Sequence, residues 1–157
     1  MCAILDANVA GQVFGSERTR AGRAFFEWID SGRGSLVVGG RLRRELDRNR
    51  VFQAWRLEAG RAGRVTLLSD EVVDSTAQQI LQEGACRSDD EHVLAVAQLS
   101  GARLLYTNDA DLQADFGDRA LIDRPRGKVY STRIHDHLTP THRRLLGARP
   151  LCGSSHR

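Results

Sequence analysis

The 157-residue sequence lacks the features that define several classes of protein. It has no apolar run approaching the roughly 18 to 20 residues that a membrane-spanning helix needs. Its amino-terminal stretch carries an acid at position 6 and no basic segment, so we expect no secretion signal. Its three cysteines are widely scattered and match neither a disulfide framework nor a zinc motif. These absences predict a protein of a reducing, cytoplasmic compartment.

Lysine is nearly absent, since 22 of the 23 basic residues are arginines. Arginine binds phosphate groups through paired hydrogen bonds, which is compatible with a polyanionic partner. A GC-rich genome would also produce many arginines, so composition alone leaves both explanations open. Aromatic residues are scarce too, at 6% of the chain. Few rings are therefore available for stacking on bases, and we expect Trp55 and Tyr106 to lie in the core.

The residues that are present indicate one soluble domain in which strands and helices alternate. Hydrophobic residues make up 41% and charged residues 27%, as in ordinary globular proteins. Short apolar runs predict strands, and patterns of helical period lie between them. Such alternation predicts an α/β fold, a three-layer α/β/α sandwich with a short central parallel sheet. The predicted strands are 2–5, 35–38, 65–68, 103–106 and 121–122, and the predicted helices are 20–30, 41–59, 70–82, 88–100 and 112–116.

Carboxylate side chains come from three separate segments at one predicted edge of the sheet. Asp6 directly follows the first strand, and Asp109 and Asp111 follow the strand that ends at Tyr106. Asp90 opens the helix that leads into that strand, and Ser88 and Glu91 fit a capping box there. Ligands of parallel α/β sheets bind outside the carboxyl ends of the strands. We therefore expect these acids to converge.

Each acid taken singly has a structural explanation. Asp90 suits the first turn of a helix, where the helix dipole favours anions, and Asp109 suits a turn or an N-cap. Taken together they repel, and each close pair costs up to about 4 kcal/mol at an effective dielectric constant near 20. A divalent cation would offset that repulsion, and ligands that are all oxygen select Mg²⁺ or Mn²⁺ over zinc. Such a cation would activate water toward a phosphodiester.

Four stretches, in this order and spacing, resemble the motifs of PIN-domain nucleases, the group that includes small VapC-like ribonucleases. The resemblance covers about residues 2 to 116 and extends weakly to 127–130. The stretches are ILDANV at 4–9, REL at 44–46, DEHVLAVA at 90–97 and LLYTNDADL at 104–112.

The resemblance implies a role for each matching residue. The implied catalytic acids are Asp6, Glu45, Asp90 and Asp109, with Mg²⁺ or Mn²⁺ bound by Asp6, Asp90, Asp109 and the auxiliary Asp111. Glu45 would be a ligand or would orient the attacking water, and Asp47 remains a nearby alternative. Asn8 and Thr107 match positions that hydrogen-bond the carboxylates and hold their rotamers.

The resemblance also implies a function and partners. It implies an endoribonuclease, with RNA as substrate and a PIN-like nuclease domain over 1–133, followed by a partly irregular extension over 134–157. Many small members are toxins neutralised by an antitoxin protein, and a homodimer is a further expectation. A PIN-like module that binds RNA or protein without catalysis is the alternative.

Basic residues near the acids predict how RNA would be held. Arg41, Arg44 and Arg48 share one face if 41–59 is a continuous helix, and they are the predicted RNA contacts. A solvated helix face is the plain alternative, and Arg124, Arg126 and Lys128 form a second basic group. His92 lies beside Asp90 on the predicted helix, in a position from which it could face the site, but it is not predicted to act as a base. His135, His137 and His142 match no zinc pattern and are expected to be incidental.

Overall fold

The computed structural model describes residues 2–16, 18–134 and 137–148. Within these ranges the strands are β1 Cys2–Leu5, β2 Ser35–Val38, β3 Val65–Leu67, β4 Leu104–Tyr106 and β5 Lys128–Tyr130. They form one sheet in the order β3-β2-β1-β4-β5, and every neighbouring pair is parallel. Helices flank the sheet, which confirms the predicted α/β class.

The helices of the described residues are α1 Ala10–Phe14, α2 Arg20–Asp30, α3 Gly40–Leu46, α4 Arg50–Arg61, α5 Asp70–Glu83, α6 Glu91–Ser100, α7 Ala110–Gly117 and α8 Pro140–Gly147. A 3-10 turn at Ala7–Val9 precedes α1. Helices α1, α2, α4 and α8 make one contacting group, α3, α5 and α6 make another, and α7 contacts β5.

Two predicted elements are wrong. The continuous helix predicted over 41–59 is broken into α3 and α4, because Asn49 caps the second helix by accepting a hydrogen bond from Phe52 N at 3.1 Å. The strand predicted at 121–122 is a turn whose two apolar side chains are buried, and the last strand is β5 instead.

The central strands are buried on both faces. Every residue of β1 is buried, and the apolar run of α6 packs against β1 and β2. Tyr106 is fully buried, as predicted, and its ring lies 5.1 Å from Phe25 and 4.8 Å from Tyr130 between centroids. Trp55 is half-buried, and its ring lies 5.1 Å from that of Phe14. Burial of this kind is the main stabilising contribution to such a fold.

The chain changes at β1 from adding strands on one side of the sheet to adding them on the other. This switch point positions the candidate site. The chain adds β2 and β3 on one side of β1, then β4 and β5 on the other. In open α/β sheets the loops that leave the two strands at such a switch point diverge and form a crevice. Asp6 N donates to Tyr106 O at 2.9 Å, so the carboxyl ends of β1 and β4 lie side by side.

Other expectations concern cysteines, membranes and the carboxyl-terminal part of the chain. Cys2 is disulfide-bonded, against the expectation from scattered cysteines, and Cys86 is a free thiol. In the described ranges, no helix has the length and apolarity to cross a membrane. The boundary after residue 133 stays a prediction; His135 lies outside the described residues, while α8 contacts α2 and β5.

Candidate active site

Asp6 is the buried acid at the end of β1. Its carboxylate accepts two hydrogen bonds, from Thr107 Oγ1 at 2.7 Å and from Asn8 N at 3.3 Å. Burial raises the pKa of Asp6, hydrogen bonds from Thr107 and Asn8 oppose that rise, and the charge of Asp109 adds to it. The hydrogen bond from Thr107 therefore holds the Asp6 carboxylate in this rotamer, and the role in a metal site that the resemblance implies for Thr107 stays a prediction. The side chain of Asn8 is exposed, and only its backbone N–H reaches Asp6.

Asp109 lies at the carboxyl end of the neighbouring strand, two residues after Thr107. Thr107 Oγ1 donates to Asp6 and also accepts from Asp109 N at 3.1 Å, so one hydroxyl connects the two acid-bearing loops. Asp109 Oδ1 caps α7 by accepting from Asp111 N at 2.9 Å and Leu112 N at 3.1 Å. Asp109 is therefore the N-cap of α7, as its structural explanation predicted, and this role uses one of its two carboxylate oxygens.

Asp90 immediately precedes α6 and contributes the third acid. Its side chain makes no capping hydrogen bond and is 19% exposed. The pKa of Asp90 is raised to about 6, first by burial and then by the negative charges of Asp6, Asp109 and Glu45. The carboxylates of Asp6, Asp109 and Glu45 therefore lie close enough to Asp90 to oppose its ionisation.

Glu45 reaches the same place from the last turn of α3. Its Oε1 lies 2.7 Å from His92 Nε2 and 3.7 Å from Arg41 Nε. The alternative, Asp47, faces elsewhere: it pairs with Arg43 at 3.0 Å and Arg56 at 2.8 Å. The structure therefore brings Glu45, rather than Asp47, to the acid cluster.

The capping box predicted at Ser88 is wrong, and the reason is a buried acid that the sequence reasoning missed. Ser88 Oγ donates to Asp115 at 2.7 Å and accepts from Asp90 N at 3.3 Å, while Asp90 itself occupies the N-cap position. Asp115, only 2% exposed, also accepts from Arg87 N at 2.8 Å and Ser88 N at 2.9 Å, and from the thiol of Cys86 at 3.1 Å. The hydrogen bonds that oppose its burial leave the pKa of Asp115 lowered. Asp115 thus ties the segment that carries Asp90 to α7.

A second polar network holds the loop between β4 and α7, and sequence reasoning missed it as well. Gln12 Oε1 accepts from Tyr106 Oη at 2.8 Å and from Thr132 Oγ1 at 2.6 Å. Asn108 binds Thr132 through both amide atoms, each at 2.8 Å, and Gln113 Nε2 donates to Thr107 O at 2.9 Å. The partners are far apart in the chain and follow no local motif, so no sequence signal identifies them.

Asp111, the remaining predicted ligand, does not lie in the cluster, and the described acids do not form a preassembled metal site. Asp111 is exposed in the first turn of α7, and its carboxylate makes no hydrogen bond or ion pair with the other acids in the described ranges. Among the residues that the structure describes, no group of three or more His, Cys, Asp or Glu side chains is arranged to hold a metal ion. Hydrogen bonds within the protein engage both oxygens of Asp6 and one each of Asp109 and Glu45. Each of these Asp6 and Glu45 oxygens keeps a second lone pair, and Asp109 keeps its other oxygen, so the hydrogen bonds orient the carboxylates and leave them able to ligate a cation.

The donor chemistry nonetheless fits a hard divalent cation. The converging groups are carboxylates, which Mg²⁺ and Mn²⁺ prefer. Burial, and then the charges of the neighbouring acids, raise the pKa of Asp90, and a bound cation would offset the repulsion between these charges.

Basic side chains and a small cavity lie beside the acids. The side chains of Arg41 and Arg44 are 58% and 49% exposed, and Arg44 pairs with Asp74 at 3.0 Å. Both arginines line a cavity of about 260 Å³ that also contacts His92. Arg48 is exposed but follows the end of α3, so the single helical face predicted for the three arginines is not formed. The second basic group is exposed and consists of Arg124, Arg126 and Lys128.

Comparison with known proteins gives little beyond these observations. None of the family models compared with the chain matches it, and no curated protein matches it. One similar solved structure is that of VapBC2 from Rickettsia felis bound to a DNA fragment from their promoter. The two chains are 11% identical, with a TM-score of 0.48 over 83% of this chain and 98% of the other. A likeness of this size assigns neither a family nor a function, so both must be argued from the chain's own residues.

Proposed function

We propose that this protein is a metal-dependent endoribonuclease that hydrolyses RNA phosphodiester bonds at the cluster of Asp6, Glu45, Asp90 and Asp109. The supporting observation is the convergence of these acids: burial, and then the charges of Asp6, Asp109 and Glu45, raise the pKa of Asp90 to about 6. Clustered like charges destabilise a fold, and they are typical of sites that are kept for chemistry. The proposed cofactor is Mg²⁺ or Mn²⁺, held by Asp6, Asp90 and Asp109 with Asp111 as an auxiliary acid.

Each side chain has a part in the proposed reaction. The cation would supply Lewis-acid stabilisation of the phosphoryl oxygens and a lowered pKa for water. Thr107 holds Asp6 in one rotamer, and the α7 cap holds Asp109, so the protein supplies oriented carboxylates. Glu45 is half-buried beside them and would orient the attacking water by accepting its hydrogen bond.

The basic surface would supply affinity for the substrate. Arg41 and Arg44 border the cavity next to His92, and Arg48 lies on the exposed segment after α3. Their guanidinium groups are suited to phosphate oxygens and carry no base specificity. The proposal therefore assigns them to the RNA backbone, and binding should weaken as salt is added.

A PIN-like module that binds RNA or protein without catalysis is the second candidate. It is favoured by one observation, that the described residues contain no preassembled metal site. Against it, all four acids are present and mutually close, and a binding module would gain nothing from their repulsion. RNA affinity without metal-dependent turnover would distinguish this candidate.

The resemblance of the motifs to VapC-like toxins extends the proposal to partners. We propose that an antitoxin protein neutralises the nuclease and that the nuclease forms a homodimer, in the cytoplasm. Co-purification with the product of a neighbouring small gene tests the first partner, and light scattering of the isolated protein tests the second. A monomer that no neighbouring product inhibits would contradict this extension without affecting the nuclease proposal.

Cleavage of single-stranded RNA tests the proposed function. We expect wild-type protein to cleave with Mn²⁺ and not with a chelator, and Asp6→Asn to lose activity while staying folded. The matched control is Glu58→Gln, which removes an exposed carboxylate on α4, outside the cluster. Cleavage that persists in Asp6→Asn, or wild-type protein that never cleaves with metal, would contradict the proposal.

A further inference from the structure

His92 is a buried histidine beside the acid cluster. It is the second residue of α6 and is only 3% exposed. Its Nε2 atom lies 2.7 Å from Glu45 Oε1 and 3.9 Å from Asp90 Oδ1. A buried imidazole therefore stands between two of the four acids, in direct hydrogen-bond contact with one.

The direction of this hydrogen bond follows from the surroundings of the ring. In the described part of the chain, His92 Nδ1 is buried and has no hydrogen-bond partner. If Nε2 carried no proton, its lone pair would face a carboxylate oxygen at 2.7 Å, and two acceptors repel at that distance. Nε2 therefore carries the proton and donates it to Glu45.

Arg41 makes the other contact to Glu45, and this contact holds the carboxylate less firmly. Arg41 Nε is 3.7 Å from the same oxygen, and the Arg41 side chain is 58% exposed. Exposed ion pairs contribute little and do not fix geometry. Both contacts fall on Oε1, and Oε2 makes no hydrogen bond with any described residue.

We propose that His92 is a positioning residue that holds the Glu45 carboxylate in one orientation. The Nε2–H bond fixes Oε1 and leaves Oε2 available for the attacking water. The catalytic part of this inference rests on the proposed function, whereas the orientation of Glu45 does not. His92 itself contacts neither water nor phosphate in this assignment.

Kinetics of two His92 variants test the catalytic part. His92→Leu removes the donor, and we expect kcat to fall about 10- to 100-fold, the range typical of partners that orient site residues, with KM changed less than about threefold. His92→Gln offers an amide N–H toward Glu45 and should recover most of kcat. Equal kcat for folded His92→Leu and wild type, or equal losses in both variants, would overturn the assignment.

Nuclear magnetic resonance tests the orientation without any need for activity. In metal-free protein, a buried and hydrogen-bonded Nε2–H of His92 should give a slowly exchanging proton signal. Glu45→Ala, which removes the acceptor from a partly exposed position, should abolish that protection. The internal control is His142, whose Nε2 lies 2.6 Å from Ser131 O and whose Nδ1 accepts from Thr139 N at 3.0 Å.

The two experiments separate the inference from the function on which it rests. Wild-type protein that does not cleave RNA contradicts the proposed function, and the His92 proton still reports whether the ring holds Glu45. A His92 proton that is unprotected in wild type, or equally protected in Glu45→Ala, contradicts the inference even if cleavage is observed.

Discussion

At the scale of single residues, the ionised carboxylate of Asp90 destabilises the folded protein. Its folded-state pKa of about 6 lies above its usual value, so the folded chain holds this proton more tightly than the unfolded chain. Its contribution to stability therefore falls as pH rises from about 4 to about 6 and stays at its minimum above that. The ionised group destabilises the metal-free fold by an amount on the order of 3 kcal/mol, because the pKa of Asp90 rises by about two units and each unit corresponds to about 1.4 kcal/mol.

Asp90→Asn should consequently stabilise the metal-free protein. We expect a gain of about 1–2 kcal/mol in the free energy of unfolding at pH 7.5, because the amide is neutral and repels none of the three acids. The gain should shrink toward zero near pH 4. Urea unfolding of variant and wild type with a chelator, across this pH range, measures it, with Glu58→Gln as the control. A destabilised variant at pH 7.5 would contradict the repulsion described for this cluster.

The residues that sequence reasoning found and missed differ in one physical respect. Asp6, Asp90 and Asp109 could be predicted, because strand ends and helix starts place them at the same edge of a parallel sheet. Thr107 was implied by the motif resemblance, in which it matches a position that hydrogen-bonds the carboxylates. His92 and Asp115 could not be predicted, because their roles depend on side chains of other elements, Glu45 and Ser88, that no local pattern connects to them.

At the scale of elements, the connection between the start of α6 and α7 depends on Asp115. Its pKa is lowered in the folded state, so its contribution to stability is complete above about pH 4, where the unfolded carboxyl is ionised. The contribution is lost as pH falls through the lower pKa of the folded state. This direction is opposite to that of Asp90.

Asp115→Ala should destabilise the protein by about 2–4 kcal/mol at pH 7, since it leaves the buried Ser88 hydroxyl and backbone N–H groups without an acceptor. The destabilisation should decrease below about pH 4. Chemical unfolding at pH 7 and pH 3.5 measures both effects. Asp118→Ala, which removes an exposed carboxylate just after the same helix, should cost less than about 1 kcal/mol. Similar costs for the two variants would show that Asp115 is not the acceptor described.

The elements also show where periodicity misleads. The stripe over 41–59 predicted one helix, yet the chain turns at 47–49 because Asn49 caps a new helix and Asp47 pairs with Arg43 and Arg56. The break separates Arg48 from the face that carries Arg41 and Arg44, and it therefore bears on the proposed RNA contacts. An N-cap residue inside a hydrophobic stripe was the available signal.

At the scale of the whole molecule, the sheet topology explains most of the site. Parallel strands and their short length could be predicted from apolar runs between helical patterns. The strand order could not, because it depends on which neighbours each strand selects, and that choice places β4 beside β1. The position of β5 was missed because the apolar pair at 121–122 is buried in a turn rather than in a strand.

The proposed RNA substrate would contact the exposed arginines beside the acids. Arg41→Gln should weaken RNA binding and reduce the salt dependence of the affinity by about one ion, since one phosphate contact is lost. Fluorescence anisotropy at several salt concentrations, in the Asp6→Asn background with a chelator, measures binding without cleavage. Arg61→Gln is the control, because Arg61 is exposed and lies where α4 leads into the amino end of β3. The acids lie at the carboxyl ends of the strands. Equal losses in both variants would indicate non-specific binding.

Calorimetric titration of Mn²⁺ into the protein at pH 6 tests the central claim most directly. Near that pH about half of Asp90 is protonated, so cation binding should release a proton, seen as a heat that depends on the buffer. We predict saturable binding with proton release in wild type and Glu58→Gln, and its loss in Asp6→Asn and Asp90→Asn. Absence of binding in wild type, or unchanged binding in both cluster variants, would contradict a cation site built from these acids.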